Sequence, residues 1–131
     1  MAAPAREAEP VPWPGVVGLD LLEIDRLERA LERRPGLAAR LFTAGERAYA
    51  QASGRPAQSL AARFCAKEAV SKALRMDVLR PREIEVVRGG DGEPLVALHG
   101  EAAARAAALG VSVHLSLTHT RTTAGAVAVL R

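Results

Sequence analysis

A chain of 131 residues is one domain by size, and 49% hydrophobic with 25% charged residues is a globular balance that can supply a core. A formal charge of +3 permits an acidic or phosphate-rich partner, but aromatics at 3% leave no base-stacking surface, so no nucleic-acid partner is expected. The single cysteine, Cys65, excludes an intrachain disulfide and suits a reducing cytoplasm, and no run approaches the roughly 20 apolar residues of a membrane span.

Residues 1–14 hold four of the eight prolines, have no long apolar run of the signal-peptide kind, and read as a flexible tail. A single domain then fills 15–131. Residues 15–19, GVVGL, form a short apolar strand ended by Asp20. Residues 21–34 have amphipathic helical spacing, and Asp20 is placed to cap that helix before Pro35-Gly36 stops it. A helical turn over 37–42 follows. Thr43 with Glu46 three residues later is a capping box, which predicts a helix over 44–52.

After a loop at 53–58, with Ser59 as a cap, residues 60–74 (LAARFCAKEAVSKAL) contain no Gly or Pro and should be helical. Their apolar positions run nearly all the way round, so the helix belongs in the middle of the domain. Yet it carries Arg63, Lys67, Glu68 and Lys72. Burying charge is costly without a partner or a metal, so this helix is expected to wall a site. Alternating strands at 83–88 and 93–98 flank the turn 89–92. An Ala-rich helix spans 100–109 and ends at Gly110. Strands at 111–117 and 123–130 flank a polar turn at 118–122. Helices ahead of paired strands imply an α+β fold, with helices packed on a small antiparallel sheet.

Asp20 and Glu68 are the leading pair for chemistry. Two hard carboxylates from distant segments, completed by waters and a phosphate, describe a Mg2+ site, whereas no Cys/His cluster suits zinc. Each residue has a plainer reading: Asp20 as a helix cap, Glu68 as an i,i+4 partner of Lys72. Arg63 and Lys67 can neutralise phosphates or simply extend from the helix flank. The hydroxyls and imidazole of residues 116–120 form a turn of the kind that binds phosphate. Ser116 with His119 lacks an orienting acid, so a nucleophile–base pair is discounted.

Three segments, VGLDLLEIDR (17–26), RFCAKEAVSKA (63–73) and VHLSLTHT (113–120), in this order and spacing resemble the small bacterial holo-acyl-carrier-protein synthases, the short 4'-phosphopantetheinyl transferases. The resemblance covers essentially everything after the tail. It implies a homotrimer with active sites between subunits. It also implies transfer of the phosphopantetheine arm of coenzyme A to a serine of an acyl carrier protein, with release of 3',5'-ADP. Carried over, Asp20 and Glu68 hold Mg2+, Glu68 or a water beside it helps deprotonate the serine, and Lys72 binds the diphosphate. Arg63, Lys67, Thr118, His119 and Thr120 take the rest of coenzyme A, and Arg26, Arg29 and Arg33 dock the acidic carrier. After Lys72-Ala73 the family runs aromatic or Leu, then G-x-G. Here Arg75 and Asp77 replace both glycines, so either Arg75 supplies a side-chain contact or coenzyme A binds more weakly. A non-catalytic carrier-binding relative and a nucleotide-binding module are the alternatives.

Overall fold

The computed structural model describes residues 16–131. The tail expected over 1–14 lies outside the described residues. The elements run β1 (Val17–Glu23), α1 (Ile24–Arg33), α2 (Leu37–Leu41), α3 (Ala44–Ala52) and α4 (Pro56–Leu74). A 3-10 turn at Pro81–Glu83 leads to β2 (Ile84–Arg88), β3 (Pro94–Leu98), α5 (Gly100–Leu109), β4 (Val113–His119) and β5 (Thr123–Leu130). The fold is α+β. One antiparallel sheet has the order β1-β5-β4, and β2-β3 is a separate hairpin.

Helix α4 is the axis of the core, as its all-round apolar pattern predicts. It packs against β1, β5, α3 and α1. Ala61, Cys65, Ala66, Ala69, Val70 and Leu74 are buried along it. The helix starts four residues earlier than expected because Pro56 is at its first turn, where a missing N–H costs nothing. Ser59 is therefore inside the helix and caps nothing.

Strand β1 is longer than its apolar run suggests. All seven residues pair with β5, from Val17 opposite Val129 to Glu23 opposite Thr123. Asp20 is thus mid-strand, opposite Ala126, and the position before α1 is Glu23, with no side-chain cap. The cap reading of Asp20 is overturned: cross-strand pairing outweighed the local helix signal of residues 21–23. At the other end β4 extends through His119, which pairs with Ala124. The polar turn shrinks to the three residues between β4 and β5.

Gly18 decides how closely β1 approaches α4. A Cβ there would lie 1.9 Å from the Ala69 carbonyl oxygen and 3.0 Å from the Ala73 nitrogen. Both are helix backbone atoms that cannot swing aside. Alternation places Asp20 on the same α4-facing side, two residues on. Gly18→Ala should therefore cost about 2–3 kcal/mol by overpacking, read as a lower urea midpoint with an unchanged slope. A variant as stable as wild type would mean that the strand can move away from α4.

Candidate functional site

The first cluster lies where β1 crosses α4. Lys72 Nζ donates to Asp20 Oδ1 at 3.0 Å and to the Leu19 carbonyl at 3.1 Å. The plainer alternative, an i,i+4 pairing of Lys72 with Glu68, gives way to this cross-element bond. Glu68 is half-buried. Burial pushes its carboxyl pKa above the ordinary 4.5, the Asp20 charge pushes it further, and Lys72 partly opposes both. Cys65 lies beneath, its Sγ 3.5 Å from the Ala124 carbonyl. Burial and then the Asp20 charge push its thiol up to about 12, so it is a packed hydrophobe and not a nucleophile at neutral pH.

Two carboxylates facing one ammonium leave excess negative charge, which a cation would relieve. Among the described residues no third His, Cys, Asp or Glu joins them into a metal-binding group. This donor set fits Mg2+, which takes one or two carboxylates and completes its shell with water and phosphate oxygens. It does not fit an all-protein cage.

Arg26 on α1 connects this cluster to a basic face. It borders a cleft of about 440 Å3 that also contains Asp20, Phe64 and Glu68. On its other side Arg26 borders a groove with Arg29 and Arg33. The three arginines expected to act together do share one surface. Arg29 is held loosely by an exposed i,i+4 pair with Asp25 at 3.7 Å.

The second cluster lines a separate cavity of about 440 Å3 containing Tyr49, Arg55, Arg63, Arg88, Thr118 and His119. Arg63 is 2% exposed. Its Nη1 donates to the Ser59 hydroxyl at 2.9 Å and the Ser59 carbonyl at 3.3 Å, and its guanidinium lies 4.1 Å from the Tyr49 ring. Its buried Nε has no hydrogen-bond partner among the described residues. Burial, followed by the charge of Arg88, pushes the guanidinium pKa down. The ring nitrogens of His119 lie 2.7 and 2.9 Å from the Gln58 amide. Thr120 is not in this lining. Its Oγ1 accepts from the backbone N–H groups of Thr122 and Thr123 and closes the β4–β5 turn. Arg55, Gln58, Tyr49 and Arg88 carry no sequence signal of a site: they come from a loop edge, a helix start, a helix end and a strand end.

Two expectations need correction. Lys67 is not available to a phosphate: its Nζ is fully buried and bonded to Glu46 at 2.7 and 3.0 Å, to the Pro81 carbonyl at 2.7 Å and to the Ile84 carbonyl at 2.6 Å. All three of its protons are committed. Arg75 borders neither cluster. It lines a depression with Asp77, Arg80 and Arg105 at the exit of α4. Its backbone adopts φ 55°, ψ 48°, the left-handed conformation glycine would supply, at a cost of about 1 kcal/mol. The helix exit therefore keeps its geometry although the glycine is gone.

A sequence profile of the 4'-phosphopantetheinyl transferase superfamily matches residues 16–128. The chain is 48% identical over 116 residues to the holo-[acyl-carrier-protein] synthase of Moorella thermoacetica, covering 86% of this chain and 91% of that one. The acyl carrier protein synthase of Mycobacterium tuberculosis superposes with a TM-score of 0.70 at 39% identity, covering 88% of this chain and 96% of that one. The ACPS-CoA complex from Chronobacterium ammoniagenes superposes with a TM-score of 0.79 at 32% identity, covering 88% and 96%.

The raised carboxyl of Glu68 has a testable consequence for the ligand-free protein. A carboxyl whose pKa is raised by folding destabilises the fold when ionised. That cost is complete above the folded pKa and vanishes below the ordinary value of 4.5. In chelator, Glu68→Gln should melt above wild type at pH 7, and the two melting curves should converge as pH falls through 4.5. Equal melting temperatures at pH 7 would mean that neither burial nor the Asp20 charge opposes ionisation of Glu68 in the folded protein.

Proposed function

The chain belongs to the 4'-phosphopantetheinyl transferase superfamily, among its holo-[acyl-carrier-protein] synthases, and is a phosphopantetheinyl transferase; on that footing we propose a Mg2+-dependent transfer of the coenzyme A arm to a serine of an apo acyl carrier protein, releasing 3',5'-ADP. The observation that carries this reading is the Asp20–Glu68–Lys72 cluster bordered by Arg26. It combines a cation-hungry carboxylate pair in one cleft, a lysine bonded to its aspartate, and an arginine shared with the adjoining basic groove.

In this reading the serine oxygen attacks the phosphorus bearing the pantetheine arm. The phosphorus–oxygen bond to the nucleotide breaks, and 3',5'-ADP leaves. Charge accumulates on phosphate oxygens throughout, so neutralisation and alignment are the main requirements. Asp20 and Glu68 would hold Mg2+, which supplies that neutralisation at the diphosphate. Glu68, or a water beside it, takes the serine proton. Lys72, oriented by Asp20 and the Leu19 carbonyl, meets the diphosphate. Arg63, Thr118 and His119 hold the nucleotide end, with Thr120 shaping the turn behind them. Arg26, Arg29 and Arg33 receive an acidic helix of the carrier. We assign the reaction to the cytoplasm, where a lone thiol stays reduced.

A homotrimer with shared sites fits two observations. The cavity around Arg63 and the cleft around Asp20 have no lining residue in common, so a ligand reaching both is best served by two subunits. The sheet face turned away from α4 also exposes a row of apolar side chains. Leu19 is 56% and Leu21 67% exposed, beside Val17. Val127 and Val129 are opposite them in register. An apolar sheet face of this kind marks an interface.

Incubation with coenzyme A, Mg2+ and apo carrier should add the phosphopantetheine mass to the carrier, read by mass spectrometry. Chelator should abolish the gain and Mg2+ should restore it. Asp20→Ala and Glu68→Ala should each lower the rate at least about a hundredfold with melting temperature little changed. No mass gain on any carrier from the source organism would sink the proposal, and a near-normal rate in either variant would remove the metal assignment. Light scattering should give three chains per particle, and Leu21→Glu should reduce that to one. A wild-type monomer would refute the shared site.

A further inference from the structure

Three elements converge on Tyr49. The tyrosine is near the end of α3 and is 38% exposed. The Arg63 guanidinium of α4 lies 4.1 Å from the ring centroid, and that of Arg88, the last residue of β2, lies 4.9 Å from it. Arg88 is itself steadied by a bond from Nη1 to the Gly92 carbonyl at 2.6 Å.

A nearly buried arginine is ordinarily fixed by a carboxylate, often in bidentate geometry. Here the ion pairs among the described residues join Arg29 to Asp25, Lys67 to Glu46, Lys72 to Asp20, Arg80 to Glu83 and His99 to Glu85. None engages Arg63 or Arg88. A carboxylate would orient these guanidiniums but also cancel their charge and compete with an anionic ligand. An aromatic ring orients a guanidinium by cation–π attraction and stays neutral.

We propose that Tyr49 is a positioning residue of this cavity, its ring a neutral shelf that presents Arg63 and Arg88 together to one anionic phosphate, and that Arg88 is thereby a further ligand-binding residue contributed by the β2–β3 hairpin. The proposal rests on reading the cavity as the nucleotide end of the coenzyme A site. Two like charges beside one ring repel in the empty protein, in keeping with the lowered basicity of Arg63. The unpartnered, buried Nε of Arg63 is a further sign of an arrangement completed by a ligand.

The test measures KM for coenzyme A, kcat, and the dissociation constant of 3',5'-ADP in Arg63→Ala, Tyr49→Leu, Tyr49→Phe, Arg88→Ala and the Tyr49→Leu/Arg88→Ala double variant. Tyr49→Leu should raise KM and the 3',5'-ADP dissociation constant by about five- to tenfold, with kcat within about twofold. Tyr49→Phe, which keeps the ring, should recover most of that loss. Arg88→Ala should weaken binding alone but add less in the Tyr49→Leu background, because both act through one stack. If Tyr49→Leu is poorly folded, Arg88→Ala, at the solvent-exposed strand end, decides the matter by itself. The proposal is overturned if Arg63→Ala weakens binding while Tyr49→Leu and Arg88→Ala do not, or if Tyr49→Phe is as impaired as Tyr49→Leu. If Arg63→Ala also leaves coenzyme A binding unchanged, the nucleotide-end reading of the cavity fails, and this proposal with it.

Discussion

The contact on which the site depends is the approach of β1 to α4 at Gly18. A bare Cα lets the strand meet the Ala69 and Ala73 backbone, where any side chain would collide. Asp20, two residues later on the same face, is thereby brought to the flank of the helix that bears Glu68 and Lys72. The glycine of the G-x-D segment thus acts through packing. The glycine sets the depth at which the aspartate meets the helix. Small residues continue the logic across the sheet, where Ala124, Ala126 and Ala128 of β5 are buried. A chain with few aromatics fills its core by bringing backbones together, and that same economy sets two carboxylates side by side.

The opposite flank of α4 is fixed differently. Lys67 and Glu46 form a buried pair in which every proton and oxygen has a partner: Glu46 also accepts from the Thr43 and Val86 backbone N–H groups. Burial pushes the Lys67 ammonium pKa down and the Glu46 carboxylate offsets this. The pair's net worth against an apolar substitute is small, but removing either partner strands a buried charge, at a cost of about 3–5 kcal/mol. Its structural consequence is registry. It ties α3, α4 and the hairpin start together, which fixes Tyr49 and Arg88 about Arg63. Thr43 extends the tie by donating to Glu85, whose carboxyl is held below its ordinary range chiefly by that hydrogen bond.

The charges of the chain thus fall into two kinds. Lys67 and Glu46 are satisfied and silent. Asp20, Glu68, Arg63 and Arg88 are incompletely compensated, negative at one cleft and positive at the other. Uncompensated charge at the surface of an otherwise well-paired core is the electrostatic pattern that the proposed reading needs, a cation-binding diphosphate at one cleft and further anionic groups at the other. Arg26 belongs to neither kind: it lies on the rim between the carboxylate cleft and the groove of Arg29 and Arg33.

Several features were determined by sequence alone because their causes are local. The capping box at Thr43 and Glu46 set α3 to the residue, and Gly110 ended α5 with a left-handed backbone. The unbroken Ala/Leu pattern of α4 announced a buried helix, and the charges on it made it the candidate wall of a site. The motif resemblance supplied the family. The tertiary structure decided what depends on distant partners. Pairing with β5 held Asp20 in a strand, where the local pattern had allowed a helix cap. Burial divided four charged residues of one helix into a structural Lys67, a cavity-lining Arg63, and the Glu68 and Lys72 of the carboxylate cluster. Helical periodicity gives the angle of a side chain around its axis but not the identity of what packs there. That neighbour, Glu46 in one direction and Asp20 in the other, comes from elsewhere in the chain and only folding brings it into contact.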